Sequence, residues 1–260
     1  LCYLTFPAFT ETGLVEHLFS TRMGGVSKGI FATMNLSFTR GDEEAAVQEN
    51  FRRIAKVMHG KKEDFVCSDQ THTVNIRKVT KEDKGKGVLR EKDYRDIDGL
   101  VTDEPGIILS CFFADCVPLY FLDTKKKVIG LAHSGWRGTV NRMGREMTAF
   151  MEKEYGCRKE DMIAAVGPSI CADCYEVSED VADAFRREFG EDVLSAGREE
   201  GKYQLDLWRA NEKVLLDAGL TGAQISVTDI CTCCNEDKLF SHRASKGKRG
   251  NLGAFLSLRE

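Results

Sequence analysis

Cys116 and His133 bracket a segment in which two apolar runs, 117–122 and 128–132, flank the polar turn Asp123-Thr124-Lys125-Lys126-Lys127. That pattern predicts a β-hairpin. Neither run alternates between apolar and polar residues, so both faces of the hairpin are expected to be covered. At the open end of an antiparallel pair, residues lie opposite or diagonal to one another, roughly 5–8 Å apart. A thiolate and an imidazole held in that way offer two ligands to a zinc-like ion. The same two groups could serve as nucleophile and base of a cysteine hydrolase. The bland alternative is one buried cysteine among ten, with a histidine that merely ends a strand.

A third group joins them. His72 follows Gln70 in a short turn between apolar runs, as Cys116 follows Asp115 and His133 precedes Ser134-Gly135-Trp136-Arg137-Gly138. Two imidazoles and one thiolate leave a tetrahedral ion one open position, the arrangement of a catalytic zinc site. An open position can lower the pKa of a water or polarise a substrate oxygen. The other histidines read differently: His17 falls inside a strand and His59 ends a helix, which marks them as structural or surface residues. Residues 134–138 run from a strand end into a helix start, where free amides and the helix dipole favour an anion. Arg137 adds a forked cation suited to phosphate, although two glycines and a tryptophan also make an ordinary packed turn. Cys171-Ala172-Asp173-Cys174 and Cys231-Thr232-Cys233-Cys234 could in principle make a second, structural zinc site with four thiolate ligands, but the second run is an irregular C-x-C-C. These cysteines are expected to be buried, reduced thiols.

Around these residues the chain must build a scaffold. Its 260 residues suffice for one large domain or two small ones. Charged residues make up 30% and the net charge is -4, so no single-sign field marks a nucleic-acid or membrane surface. No apolar run reaches the length of a membrane span, and the N-terminus has no basic region followed by an apolar stretch. A cytoplasmic protein with no nucleic-acid or membrane partner is expected, its cysteines reduced, metal-bound or catalytic.

The pattern predicts a strand over 14–20, then a long loop over 21–42 whose Phe31, Met34, Leu36 and Phe38 argue against disorder. A helix over 43–59, capped by Asp42, follows. Short strands are predicted over 65–68 and 73–79, and a solvated loop over the charged, Gly-punctuated 78–92. Strands over 98–102 and 107–113 lead into the hairpin, and a helix over 139–155 closes at Gly156. Beyond it come a strand over 162–167, a helix over 178–189 capped by Ser178, and a helix over 205–218. An interior strand over 225–229 and edge strands over 240–243 and 254–258 complete the chain. Strands and helices mix without strict βαβ alternation, which favours an α+β layered sandwich. No boundary divides it, so residues 1–260 are expected to form a single domain.

Taken together, these segments resemble the bacterial laccase-domain, or multicopper polyphenol oxidase-like, family of purine nucleoside phosphorylases. The resemblance rests on Phe19-Ser20-Thr21-Arg22 with Gly24-Gly25-Val26-Ser27, Met34-Asn35-Leu36-Ser37, Gly41-Asp42, Gln70-Thr71-His72 and Asp98-Gly99-Leu100-Val101-Thr102. It continues through Ala114-Asp115-Cys116-Val117-Pro118, His133-Ser134-Gly135-Trp136-Arg137-Gly138-Thr139, Gly167-Pro168-Ser169-Ile170, Cys174-Tyr175-Glu176-Val177, Cys231-Thr232 and Phe240-Ser241-His242-Arg243. It spans the chain from about residue 14 to the end.

The resemblance implies an αββα sandwich with mixed β-sheets and a metal, usually zinc, on His72, Cys116 and His133. It implies phosphorolysis of adenosine, inosine and methylthioadenosine with some adenosine deamination, and a homodimer. Asn35, Arg40, Gln70, Asp115 and Arg137 fall in its motifs and are placed near substrate. Arg40 and Arg137 are the phosphate candidates, and Asp115 is assigned to orient a histidine or handle a proton. Where many relatives carry Tyr this chain has His242, a substrate-facing candidate. Where they carry Thr-Gly-Arg it has Lys248-Arg249-Gly250-Asn251, so Lys248 or Arg249 must take over that arginine's part.

Two other activities fit the family. One is a cysteine- or metal-dependent hydrolase editing peptidoglycan precursors. The other is a copper-dependent polyphenol oxidase, for which five histidines are few.

Overall fold

The computed structural model describes residues 1–259. In it the hairpin forms as β7 (Val117–Asp123) and β8 (Val128–Ser134), with Pro118 opposite His133 and Asp123 opposite Val128. All fourteen strand residues are buried. Alternation explains why neither run looks amphipathic: Leu119, Phe121 and Ala132 pack to one side, and Tyr120, Leu122, Ile129 and Leu131 to the other. A strand buried on both faces shows no polar period.

The hairpin is the middle of a six-stranded mixed sheet, which also holds β4 (Ile76–Lys78), β5 (Gly99–Thr102), β9 (Met162–Val166) and β13 (Ile225–Val227), in the order β13-β9-β7-β8-β5-β4. A five-stranded sheet holds β1 (Tyr3–Leu4), β2 (Val15–Ser20), β3 (Phe65–Cys67), β6 (Ile108–Phe113) and β14 (Leu252–Leu258), in the order β1-β2-β14-β6-β3. The two sheets pack face to face through Phe19, Leu109, Cys111 and Leu256 on one side and Tyr120, Leu122, Ile129 and Leu131 on the other. Three short strands, β10 (Glu176–Ser178), β11 (Leu194–Ala196) and β12 (Lys202–Leu205), form a separate antiparallel sheet.

Helices close both outer faces. α2 (Glu44–Val57) lays Val47, Phe51 and Ile54 against Phe65 and Phe255 of the five-stranded sheet. α4 (Met143–Tyr155), α5 (Glu179–Phe189) and α6 (Leu207–Asp217) cover the six-stranded sheet with Met147, Phe185 and Val214. The fold is therefore the expected layered αββα sandwich. Burying each large apolar side chain contributes roughly 1.5–3 kcal/mol, and the helices stay in place largely through such faces. A four-residue helix, α1 (Pro7–Thr10), packs Phe9 beside the N-terminal strands. No helix among the described residues is long and apolar enough to cross a membrane.

Several expectations change. The helix over 139–155 is two helices, α3 (Trp136–Val140) and α4, separated where Arg142 takes a left-handed conformation (φ 59°). Asp42 does not cap α2: its carboxylate accepts from Asn35 Nδ2 and from the Glu43 amide instead. Ser178 stands at the start of α5, but its hydroxyl bonds Asp180 rather than a helix amide. The strand over 73–79 shortens to Ile76–Lys78 because Thr73 and Asn75 are drawn into side-chain bonds. Residues 240–243 form no strand, and a turn begins at His242.

Interior and edge are exchanged at the C-terminus. β14 lies between β2 and β6, whereas β13 is an edge strand paired only with β9. The 78–92 loop is not a solvated arm. Lys86 is buried between Asp83 and Asp93 at 2.7 and 2.8 Å, and Val88 joins the core beneath α2.

Candidate active site

The chain passes from the five-stranded to the six-stranded sheet twice at one end of the sandwich, once through residues 68–75 and once through 114–116. The first passage carries His72, the second Cys116, and His133 comes from the adjoining end of β8. Short links between packed sheets leave little freedom, and the backbone shows it: His72 and Asp115 both have positive φ, 68° and 88°. Such conformations are costly for residues with a Cβ and persist only where the surroundings enforce them.

The ligating atoms of His72, Cys116 and His133 lie within 4.8 Å of one another. The two imidazole rings meet edge to face with centroids 4.9 Å apart. A single tetrahedral ion with bonds of about 2.0–2.3 Å requires donors gathered in this way. Two further features fit an ion. A Cβ added to Gly135 would stand 2.9 Å from His72 Cδ2 and 3.1 Å from Cys116 Sγ, so only glycine leaves the cluster its room. Burial alone would raise the Cys116 thiol, but the adjacent His133 and His72 rings outweigh it and hold the pKa at about 6. Reciprocally, burial disfavours charged His133, while Cys116 and Asp98 carry its pKa to about 9.

Asp98, fully buried just before β5, organises both histidines. Its Oδ1 accepts from His133 Nδ1 at 2.8 Å and from the His72 amide at 3.2 Å. Its Oδ2 accepts from the amides of Thr71 (3.1 Å) and Thr73 (2.8 Å) and from the Thr73 hydroxyl. Burial would raise this carboxyl, yet the bonds from His133 and the loop amides hold it below the usual carboxylate range. An ionised carboxylate only accepts, so the His133 proton on Nδ1 stays in place, and Nε2 is the nitrogen that must give up its proton to offer a lone pair to an ion.

Above the three donors opens a cavity of about 440 Å³, lined by Arg40, Gln70, His72, Cys116, His133 and Arg249 with apolar walls from Leu36, Phe38, Phe112 and Phe113. Arg249 is buried, its Nε has no hydrogen-bond partner, and burial together with nearby Arg40 lowers its pKa to about 10. Two guanidinium groups this close favour an anion between them. Lys92 also lines the wall, but it is paired with Asp69 at 2.6 Å.

The remaining residues named from sequence fall into place around this cavity. Gln70 lines it while clasping β6, with Oε1 accepting from the Phe112 amide and Nε2 donating to its carbonyl. Asn35 is buried outside the lining; its amide braces Ser37, Asp42 and Asn251. Arg137 is exposed and stacks on Trp136, with 4.3 Å from guanidinium carbon to ring centroid, also outside the lining. His242 is exposed and also outside the lining, Nδ1 3.5 Å from Arg249, and partial burial and that cation lower its pKa. Asp115 spends its carboxylate on the Thr232 hydroxyl and the Arg243 amide, both at 2.7 Å, and the histidine-orienting carboxylate is Asp98. Asp98 stood in a quoted motif without a role. The signal that could have found it is an acidic residue directly before a wholly buried strand.

The chain was compared with known proteins. A family model described as multi-copper polyphenol oxidoreductase laccase matches residues 16–259. Purine nucleoside phosphorylase YlmD of Bacillus subtilis (strain 168) is 38% identical over 244 residues, covering 93% of this chain and 88% of the relative. Adenosine deaminase RL5, from an unknown prokaryotic organism, is 31% identical over 229 residues, covering 86% and 87% of the two chains. The crystal structure of YlmD from Geobacillus stearothermophilus aligns with a TM-score of 0.91 at 36% identity, over 99% of this chain and 96% of that one.

Proposed function

The chain belongs to the multi-copper polyphenol oxidoreductase laccase family, and from that membership we propose that it is a purine nucleoside phosphorylase acting in the cavity above His72, Cys116 and His133. The observation that carries this reading is the presence of two anion-seeking guanidinium groups, Arg40 and Arg249, in the same cavity as a three-donor metal cluster. The substrates are inosine, adenosine and methylthioadenosine, with inorganic phosphate as co-substrate. The volume suits a ligand of that size.

Phosphate sits between Arg40 and Arg249, where it completes the bonding of the partnerless Arg249 Nε. The purine lies along the apolar wall of Leu36, Phe38 and Phe113, which keeps bulk water from the reacting carbon. A phosphate oxygen attacks C1′, the C1′–N9 bond breaks with its electron pair passing into the purine, and the proton that phosphate loses on becoming the ribose ester ends on the purine. Holding both partners in one small cavity removes most of the entropic cost of their encounter. Asp98 fixes the His72 loop and the His133 ring, so the donor set is formed before substrate arrives. The ion proposed for these donors is zinc, with copper able to take the same ligands; when bound it supplies Lewis-acid polarisation of a substrate oxygen. Adenosine deamination in the same cavity is proposed as a side activity, supported by the name of the RL5 relative.

The test is product identification from inosine. Hypoxanthine and ribose 1-phosphate should form in equal amounts only when phosphate is present. Phosphate-independent release of free ribose would overturn phosphorolysis. A second reading draws on one observation, the Cys116 thiol held at about 6 beside His133, which would also suit a cysteine nucleophile. That reading predicts a trapped acyl-thioester from an amide or ester substrate and indifference to chelators.

A further inference from the structure

Four other cysteines meet on the opposite side of Asp115. Cys171 and Cys174 flank a short helical turn after β9, and Cys231 and Cys234 begin the turn that follows β13. Their sulfurs all lie within 4.8 Å of one another, with Cys174 Sγ 3.5 Å and Cys171 Sγ 3.9 Å from Cys234 Sγ. This corrects the expectation of buried thiols, since Cys171 and Cys174 are half-buried and Cys234 is exposed. It also resolves the irregular spacing. The four that converge are two C-x-x-C pairs, and Cys233 adjoins Cys174 without joining the group.

The geometry points to a second metal site, in which Cys171, Cys174, Cys231 and Cys234 hold one zinc ion tetrahedrally through four thiolates. An ion with Zn–S bonds of about 2.3 Å sets its sulfurs roughly 3.8 Å apart, close to the two separations above. The sulfurs are too distant for a disulfide, which needs about 2.05 Å, and all four thiols are free. The amides of Cys171 and Cys234 both donate to Cys231 Sγ at 3.3 Å. Amides turned onto a sulfur favour its charged form, the form a metal binds. The excess negative charge of four thiolates around a divalent ion is met by Arg243, which donates to the carbonyls of Cys174 and Glu176 at 3.0 and 2.9 Å. With four protein ligands no position stays open, so the ion is structural. The exposed Cys234 gives it a way in from solvent.

The site buttresses the turn that carries Cys116. Ile170, next to Cys171, donates its amide to the Asp115 carbonyl at 3.0 Å. Thr232, next to Cys231, donates its hydroxyl to Asp115 Oδ1. Arg243 reaches Asp115 Oδ2 through its own amide while its side chain grips the cysteine loop. The ion therefore ties together the two segments that hold Asp115, the neighbour of Cys116, whatever reaction the cavity performs.

Zinc content of the purified full-length chain provides the test. Two equivalents per chain are expected. Cys171→Ser with Cys234→Ser should lose one equivalent and keep the other, Cys116→Ser should lose only the other, and Cys233→Ser should keep both. A measurement on the unaltered protein guards against misfolded variants: mercurial titration should release one equivalent of zinc in step with modification of these four thiols, identified by peptide mapping. Cobalt substituted into the Cys116→Ser protein should give the strong sulfur-to-metal charge-transfer absorption of four thiolates. A single equivalent per chain with these four thiols freely reactive would overturn the assignment, as would undiminished zinc in the double variant.

Discussion

Asp98 accepts hydrogen bonds from three consecutive amides of the His72 loop and from the His133 ring, so one buried carboxylate positions two of the three donors. Replacing it with asparagine keeps the shape but puts an amide N–H against His133 Nδ1 and displaces the ring proton to Nε2. Asp98→Asn should therefore weaken metal binding by about 10–100-fold, the usual cost of losing such a supporting carboxylate; competition against a calibrated chelator measures it. The two arginines first marked for phosphate separate in the same way. Arg40 lines the cavity together with Arg249, whereas Arg137 stacks on Trp136 outside it. Losing a charge-assisted bond costs about 1.5–3 kcal/mol, so Arg249→Met should raise the phosphate KM by roughly tenfold or more. Arg137→Met should change it by less than about twofold; the reverse order would move the phosphate seat. His72, Cys116 and His133, which the fold gathers within 4.8 Å of one another, could be singled out because few residue types ligate an ion and each stands at or near the edge of an apolar run. Asp98 and the true bonds of Asn35 and Asp115 were not, since a side chain's partner across the fold leaves no local pattern, and Arg249 was named only through the family resemblance.

Strands and helices set those side chains through their register. Pro118 opposite His133 puts Cys116 one residue past the end of the pair, beside the imidazole. The hairpin was legible because both of its faces are buried, which leaves long apolar runs. The order of strands was not: 254–258 reads as an edge and 225–229 as interior, yet β14 is central and β13 an edge. Long-range pairing decides this, and a short apolar strand carries little sign of it. The break between α3 and α4 was equally hidden, as no glycine or proline stands at Arg142. The central place of β14 has a consequence. Leu256 is fully buried between the sheets, so Leu256→Ala should destabilise the protein by about 2–5 kcal/mol. Urea unfolding reads the loss, and turnover per folded molecule should be nearly unchanged.

Across the whole molecule, stability and activity answer to different groups. His17 is buried in β2, where its Nε2 accepts the Phe6 amide at 2.8 Å. Burial lowers its pKa from 6.5 to about 4. The folded state thus resists a proton that the unfolded chain takes up readily. Its contribution is fully present above pH 6.5 and is lost as pH falls from there toward 4, by up to about 3 kcal/mol. Stability measured across that interval should fall less steeply in His17→Gln than in the unaltered protein; equal slopes would contradict this. Activity should instead depend on the two chain passages between the sheets, which bring His72 and Cys116 to the end of β8 and enclose a cavity with Arg40 and Arg249.

The central claim joins metal, phosphate and nucleoside at that one place. Its most direct test is phosphate-dependent hypoxanthine release from inosine, followed through chelation and zinc add-back, beside a folded Cys116→Ala protein. The account predicts turnover that needs phosphate, disappears on chelation, returns with zinc and is absent from the variant. Turnover that survives chelation, or that Cys116→Ala retains in full, would contradict it.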